Sequence, residues 1–327
     1  MPRPSTVPPP ITSVLEAAGT WLSAGMAAVE RRLGEITVGH GPALAGDAGA
    51  TLAAGGKRLR PLLVLLCAGP AGGDRAARAA TAVELVHMAT LVHDDVIDGA
   101  PLRRGRPTVA ARSGRERAVA TGDLLFSRAF AELGAGGGTR QVELLSSASV
   151  ALALGELAQR RDAYDTGISL ERYLERCGLK TARLFECACL LGRVDDGTPA
   201  EPELAAFGRH IGLAFQLLDD VLDVTGPAER TGKARGTDLL DGTVTLPLIL
   251  AREADPGLGE LDLRELDAAG AASICDRIAA TDALERVRAL AGEHVAGAKR
   301  ALTQAALSRE ERELLGLVAD GVVERYA

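Results

Sequence analysis

Apolar residues recur every three or four positions along most of the chain, which is the spacing of one face of an α-helix. Alternating β-branched runs bounded by turns are not evident, so the pattern predicts an all-α protein. Glycine- and proline-rich stretches interrupt the periodicity at 134–138, 195–199, 225–238 and 254–259. The predicted helices cover residues 11–37, 43–54, 59–68, 74–98, 115–134, 139–165, 169–194, 200–225, 244–254 and several segments from 262 to the end.

None of these interruptions resembles an interdomain linker, so we expect the helices to form a single domain. The chain has 327 residues, which is enough to bury a sizeable core. Residues 1–10 include five prolines and are predicted to be a flexible lead-in to a domain covering 11–327. A signal peptide is not evident, and no apolar run reaches the roughly 18 residues of a membrane span.

The composition narrows the possible classes of protein further. The chain is 47% hydrophobic and 25% charged with a net charge of −7, which is typical of a soluble protein and does not favour nucleic-acid binding. The cysteines are odd in number and lack a metal-ligand spacing, so we expect reduced core thiols in a cytoplasmic protein. They are Cys67, Cys177, Cys187, Cys189 and Cys275.

Two predicted helices each run apolar for two turns and then end in the pattern DDxxD. The first motif is Asp94, Asp95 and Asp98, and the second motif is Asp219, Asp220 and Asp223. The first and last aspartate of each motif are four residues apart, so they project from one helix face. Like charges at this spacing repel, so a chain that uses the pattern twice must gain something else by it.

A solvated helix end is the alternative interpretation of each motif. The apolar residues before the aspartates favour burial instead, and buried carboxylates need cations. Because the ligands are all oxygen, we expect Mg²⁺, which keeps waters and shares its coordination shell with phosphates. Two facing motifs could therefore hold several Mg²⁺ ions with a diphosphate between them.

Basic residues lie in glycine-containing segments that could meet such a ligand directly. Any one of them alone could be a solvated basic turn. Only four lysines occur in the chain, and three of them fall in these segments. The segments are GGKRLRP (55–61), RRGR (103–106), GLKTARLF (178–185) and TGKARGTD (231–238). Together with the carboxylates, they indicate one anionic pocket reached through metal and a second reached directly by arginine and lysine.

These segments, in this order, resemble those of the trans-prenyltransferases that make isoprenyl (polyprenyl) diphosphates. The resemblance runs over about residues 20–255, from GGKRLRP through LVHDDVIDGAPLRRGRPT, LKTARLF and FQLLDDVLDVTG to GTDLLDGTVTLPLIL. It implies an all-α bundle of antiparallel helices around a deep central cavity, usually in a homodimer. The implied substrates are isopentenyl diphosphate and an allylic diphosphate.

The resemblance also implies roles for individual residues. All six aspartates would bind about three Mg²⁺ ions and, through them, the allylic diphosphate. Arg103, Lys180, Gln216 and Lys233 would assist them. Lys57, Arg60, His87 and Arg104 would hold isopentenyl diphosphate, and Thr181 would stand near the reacting carbons. Thr243 departs from the family pattern, because many members carry a lysine in that position.

Product length is expected to depend on the helix that precedes the first motif. Short-chain members commonly carry an aromatic residue as a floor there, whereas this chain has Ala89 and Thr90. A product of C30–C50, within which we expect C35–C45, would serve as a quinone side chain. Ala89 could instead simply pack against a neighbouring helix. A C15–C20 synthase, a terpene cyclase and a non-catalytic synthase subunit are the alternative functions.

Overall fold

The computed structural model describes residues 9–136, 138–194, 201–226 and 235–324. Within these ranges the chain is almost entirely helical, as the periodicity predicts. The helices are α1 (Pro9–Ala18), α2 (Thr20–Val38), α3 (Gly41–Ala53), α4 (Leu59–Ala68), α5 (Gly73–Ile97), α6 (Val109–Ser113), α7 (Arg115–Ala135), α8 (Thr139–Arg161), α9 (Leu170–Cys177), α10 (Arg183–Arg193), α11 (Pro202–Thr225), α12 (Thr237–Leu240), α13 (Leu246–Ala254), α14 (Ala268–Ala279), α15 (Ala283–Gln304) and α16 (Arg309–Glu324).

The centre of the bundle is formed by α4, α5, α10 and α11. Residues 61–67 of α4 are all buried, so this helix is apolar on every side, as expected of an interior helix. α4 packs against α5 and α10, and α10 packs in turn against α11. Outer helices cover this centre, with α7 lying along α5 and α15 lying along α11.

Small residues allow the central helices to approach closely. A Cβ atom at Gly212 of α11 would lie 2.6 Å from the Cα of Ala182, and one at Gly192 of α10 would lie 2.3 Å from the carbonyl oxygen of Val64. Both positions therefore require glycine. These contacts hold α11 close to Ala182 and α10 close to α4. The two aspartate motifs lie towards the C-terminal ends of α5 and α11.

Three local features differ from the sequence prediction. The single helix predicted over 11–37 is divided in two at Gly19, whose φ of 74° is incompatible with a continuing helix. A short antiparallel hairpin pairs Leu102–Arg103 with Arg106–Pro107, directly after the first motif. Between α9 and α10 the backbone forms a π-helical turn, Gly178–Ala182, which is called the π segment below.

The cysteine prediction is confirmed, because all five cysteines are buried free thiols. Over the described ranges, no helix is both long and apolar enough to cross a membrane. The predicted break at 195–199, most of the one at 225–238 and nearly all of the predicted lead-in lie outside the described residues.

Candidate active site

The first motif occupies the last turn of α5. Asp94 and Asp98 are half-buried, whereas Asp95 is only 4% exposed. Arg103, on the hairpin that follows, donates from Nε to Oδ1 of Asp95 over 2.7 Å. The hairpin thus brings Arg103 back to the motif, where its positive charge offsets the negative charge of Asp95.

Asp98 belongs to a chain of ion pairs that links α5 to α8. Arg160 donates from Nη2 to Oδ1 of Asp98, and its Nε donates to Glu156 at 2.9 Å. Glu156 also accepts a hydrogen bond from the ammonium of Lys180. Burial alone would raise the pKa of Glu156, but the charges of Lys180 and Arg160 outweigh it and hold that pKa below its ordinary value.

Asp94 differs from its neighbours, because its side chain accepts no hydrogen bond within the described part of the chain. Loss of solvent raises its pKa to about 6, with Glu156 and Asp98 adding to the rise and Lys180 opposing it. A carboxylate that is removed from solvent without a donor destabilises its own charged form. Such a group is suited to bind a cation that the protein itself does not supply.

The second motif lies in the last turn of α11, and its middle residue is the most buried of the three. Asp220 is 2% exposed, and both of its oxygens accept hydrogen bonds. Tyr173 of α9 donates to Oδ2 over 2.5 Å, and Gln216 donates to Oδ1 over 2.7 Å. Burial, together with the nearby charge of Asp238, nevertheless raises the pKa of Asp220 to about 8.

Asp223 joins the second motif to the next helix. Its two carboxylate oxygens accept hydrogen bonds, each of 3.2 Å, from the backbone amides of Thr237 and Asp238 at the start of α12. Asp219 is exposed at the same end of α11. Residues 227–234, between α11 and α12, lie outside the described residues. They include Lys233, so the role expected of Lys233 stays a prediction.

The π segment contacts residues that neighbour both motifs. Lys180 reaches Glu156 and acts electrostatically on Asp94, while the hydroxyl of Thr181 donates to Oε1 of Gln216 at 2.7 Å. Gly155 of α8 makes this position possible, because a Cβ there would lie 2.6 Å from the Lys180 amide nitrogen. π turns inside α-helices are frequent at functional sites.

A cluster of basic residues surrounds His87, two turns before the first motif. Burial lowers the pKa of His87 well below its usual value, and the charges of Arg60, Arg104, Arg103 and Arg58 lower it further. The imidazole is therefore neutral at physiological pH and can donate or accept without adding positive charge. Four guanidinium groups within electrostatic reach of one ring create a strongly positive environment suited to an anion.

Arg60, like Arg104, forms no ion pair with a carboxylate among the described residues, whereas Arg58 and Arg103 do. Its Nε is buried without a hydrogen-bond acceptor, and its guanidinium lies 4.5 Å from the centre of the Phe185 ring. Burial lowers the pKa of Arg60 to about 10. Arg58, by contrast, is engaged by Glu30 at 2.5 Å and by Glu84 at 2.8 Å.

The remaining predicted contacts lie at the edges of this cluster. Lys57 is half-buried just before α4. Arg104 adopts a left-handed conformation with φ of 53° and donates to the carbonyl oxygen of Gly55. Loss of solvent and the charge of Arg103 lower the pKa of Arg104, while Glu84 and Asp219 oppose that change. Arg104 therefore lies within electrostatic reach of the second motif.

The two residues predicted to govern product length lie on α5 below the aspartates. Ala89 is fully buried, and Thr90 is half-buried with its hydroxyl donating to the carbonyl oxygen of His87 at 2.8 Å. These residues are roughly 6–7.5 Å below Asp94, at 1.5 Å per helical residue. Neither side chain extends far from the helix, so no bulky group projects from α5 at that depth.

Sequence reasoning missed several polar residues of this site. Glu156 and Arg160 of α8 pair with Lys180 and with the first motif, and Tyr173 holds the second motif. In the sequence, Glu156 and Arg160 look like an ordinary i,i+4 pair on a solvated face. A signal was present nonetheless, since both follow Gly155 directly after the apolar run 150–154.

The donor groups fit Mg²⁺. Among the described residues, no three His, Cys, Asp or Glu side chains converge closely enough to hold a metal ion by themselves. That arrangement excludes an all-protein cage and is compatible with Mg²⁺, which is usually bound by one or two carboxylates plus waters and phosphates. The carboxylate of Asp94, which lacks a donor in the described part of the chain, is the observation that most favours such an ion.

Comparison with known proteins gives consistent results. Residues 43–268 match the family described as polyprenyl synthetase. The chain is 41% identical over 292 residues to heptaprenyl diphosphate synthase component 2 of Geobacillus stearothermophilus, covering 86% of this chain and 90% of that protein.

Solved structures agree with this result. A polyprenyl synthase from Caulobacter crescentus, complexed with calcium and isoprenyl diphosphate, superimposes with a TM-score of 0.86 at 36% identity over 95% of this chain and 98% of that one. A geranylgeranyl pyrophosphate synthase superimposes with a TM-score of 0.83 at 25% identity over 94% and 100%.

Proposed function

Because the chain belongs to the polyprenyl synthetase family, we propose that it joins isopentenyl diphosphate to an allylic diphosphate and makes a long all-trans polyprenyl diphosphate. The observation that carries the proposal is the π segment, in which Lys180 acts electrostatically on Asp94 of the first motif and Thr181 donates to Gln216, which in turn donates to Asp220 of the second. The basic cluster around His87 supplies a second anion site within electrostatic reach of these groups.

In this proposal the two diphosphates occupy different halves of the site. The first and second motifs, with Arg103, Lys180 and Gln216, hold the allylic diphosphate. Arg60, His87, Arg104 and Lys57 hold isopentenyl diphosphate, and the neutral imidazole of His87 donates a hydrogen bond between guanidinium groups. Thr181 orients the reacting carbons in a pocket with little water, so the double bond of isopentenyl diphosphate attacks the allylic carbon as the allylic diphosphate departs. The resulting cation then loses a proton to the released diphosphate, which restores a double bond in the lengthened product.

The resemblance implies that all six aspartates would bind about three Mg²⁺ ions, and we propose that Asp94, Asp98, Asp219 and Asp223 would be the direct ligands. Bound Mg²⁺ would stabilise negative charge on the departing diphosphate. Asp95 and Asp220 are buried and bonded to Arg103 and to Tyr173 and Gln216, respectively. For these two middle aspartates, we propose that the carboxylates mainly fix the orientation of the helix ends.

We expect a product of C30–C50, within which C35–C45 is the central prediction. Ala89 is a small residue at the position where an aromatic floor would stop growth early, and the relative at 41% identity is named for a heptaprenyl product. The fold alone does not set the length, since the geranylgeranyl synthase has nearly the same shape. A role in quinone side-chain synthesis and a cytoplasmic location follow as predictions from the same reasoning.

We also propose a homodimer whose contact surface includes α8. Val150, Leu154 and Leu157 are 58%, 52% and 66% exposed and lie on one face of that helix. An exposed apolar stripe of this kind is typical of an oligomer contact. Sedimentation of the wild type and of Leu154→Asp tests this: the wild type should be a dimer, and a monomeric wild type would contradict the proposal.

The product assay is the decisive experiment. The purified chain is incubated with isopentenyl diphosphate, Mg²⁺ and either farnesyl or geranylgeranyl diphosphate, and the extracted products are sized. Products of C30–C50 support the proposal, whereas accumulation of C15 or C20 alone indicates the short-chain alternative. Turnover without isopentenyl diphosphate would indicate a terpene cyclase, and no turnover under any of these conditions would favour a non-catalytic subunit.

A further inference from the structure

Arg160 lies on the last turn of α8 and joins two acidic groups of the site. Its Nη2 donates to Oδ1 of Asp98, and its Nε donates to Oε1 of Glu156 over 2.9 Å. The side chains of Arg160, Asp98 and Glu156 are 34%, 19% and 14% exposed, so the pairs are only partly screened by solvent. A guanidinium therefore already occupies one of the carboxylates expected to bind Mg²⁺.

The charges of this network nearly cancel. Asp94, Asp98 and Glu156 carry three negative charges, while Arg160 and Lys180 carry two positive ones. Asp95 is balanced separately by Arg103. Without metal, the group around the first motif therefore has a net charge of only about −1. Arg160 supplies one of the two positive charges that bring it there.

We propose that Arg160 is a resident counter-ion of Asp98 that competes with the metal ion and sets the metal affinity of the first motif. The inference rests on the proposed function, because it assumes that Asp98 is a metal ligand. An ion approaching Asp98 meets an oxygen that already accepts a hydrogen bond and whose charge is offset by the guanidinium. To bind directly, the metal must displace Arg160 from Oδ1 or share the carboxylate with it.

Glu156 can keep its hydrogen bond to the guanidinium after a metal ion displaces it from Asp98. The Nε bond to Glu156 does not involve Asp98, so Arg160 can release one carboxylate while it keeps the other. The same Glu156 holds Lys180, which links the two cations to a single anchor. Arg160 therefore keeps Asp98 oriented when no metal is present, and it makes binding of metal to the empty site weaker than the carboxylates alone would allow.

The chain offers a matched control for a test. Arg161 is the next residue and has the same charge, but its side chain is 70% exposed and its ion pair with Asp162 is 4.0 Å long. Mn²⁺ serves as the probe, and its binding to the substrate-free protein is measured by electron paramagnetic resonance. The variants are Arg160→Gln, Arg160→Lys and Arg161→Gln, each checked for native helix content by circular dichroism.

We expect Arg160→Gln to bind Mn²⁺ about two- to fivefold more tightly than the wild type, the range for removing one solvent-accessible ion pair. The Mn²⁺ affinity of Arg160→Lys should lie between those of the wild type and Arg160→Gln. A lysine keeps the charge but lacks the planar fork with which arginine bridges the two carboxylates. Arg161→Gln should match the wild type. In thermal unfolding, Mg²⁺ should raise the midpoint of Arg160→Gln more than that of the wild type.

Unchanged or weaker Mn²⁺ binding by Arg160→Gln would overturn this inference and leave the proposed function intact. An equal gain in Mn²⁺ affinity in Arg161→Gln would also overturn it, because the gain would then come from the loss of any nearby positive surface charge. Absence of Mn²⁺ binding by the wild type would overturn the proposed metal site and this inference together. Where Arg160→Gln lacks native helix content, Arg160→Lys decides the question, and binding no tighter than the wild type counts against the inference.

Discussion

Replacing Asp94 by asparagine should make the metal-free protein more stable while it removes activity. Asp94 is a half-buried carboxyl group without a hydrogen-bond donor in the described part of the chain, and loss of solvent raises its pKa from 3.8 to about 6. A pKa difference of one between the folded and unfolded chain corresponds to about 1.4 kcal/mol, so the ionised carboxylate destabilises the folded state by up to about 3 kcal/mol. Asparagine has nearly the same shape and carries no charge.

The sign of the effect with pH follows from the raised pKa. Below about pH 4 the group is protonated in both the folded and the unfolded chain, so it has no effect. As the pH rises through the ordinary value towards 6, the unfolded chain releases the proton more readily and the folded state loses stability. Above about pH 6 the loss is complete. The advantage of Asp94→Asn should therefore be full at pH 8 and about half as large at pH 5.

Chemical and thermal unfolding of metal-free protein at the two pH values measures this effect. A gain of about 1–3 kcal/mol at pH 8 corresponds to roughly 2–6 °C in a protein of this size. Asp98→Asn is the matched control, because it removes the ion pair between Asp98 and Arg160, so no gain is expected. Equal stability of Asp94→Asn and wild type at pH 8, or a gain that does not depend on pH, would refute the reasoning.

Three further predictions concern other parts of the site. Ala89→Phe should shorten the product by supplying the missing floor, as sized by chromatography of the extracted products; an unchanged length would place the floor elsewhere. Tyr173→Phe removes a 2.5 Å hydrogen bond to Asp220 and should cost about 1–3 kcal/mol in urea unfolding, whereas no loss would mean that Gln216 alone holds the carboxylate. Gly155→Ala should destabilise by about 1–3 kcal/mol, because the new Cβ would meet the π segment at 2.6 Å. Gly34→Ala has open space around its Cβ and should be neutral or stabilising, so equal losses in both glycine variants would contradict a steric cause.

Much of the fold could be predicted from the sequence because its strongest signals are local. The helices around the two motifs were predicted correctly, since apolar residues at helical spacing leave little ambiguity. The break at Gly19 was not predicted, because its neighbours continue the helical pattern and only the backbone angle reveals the turn. The hairpin after the first motif has strands of two residues each, too short for any alternation to register.

The sequence predicted which residues form the candidate site better than it predicted which of them contact each other. The aspartates and the basic segments could be recognised from composition and spacing, but which of them pair with each other depends on helix packing. Glu156, Arg160 and Tyr173 reach the site from α8 and α9, and nothing local in the sequence indicates which way those helices face. The sequence also could not separate Asp94 from Asp95, because the difference between them is one of burial and hydrogen-bond partners.

The π segment also constrains how this chain can be altered. Its closing hydrogen bond runs from the amide of Arg183 to the carbonyl oxygen of Gly178, five residues back rather than four. One extra residue is thereby absorbed between α9 and α10, and losing it would rotate one helix relative to the other by about 100°. Tyr173 and Phe185, which are both buried, could not then stay buried together. Single-residue deletions in this region are therefore expected to disrupt the packing of both helices.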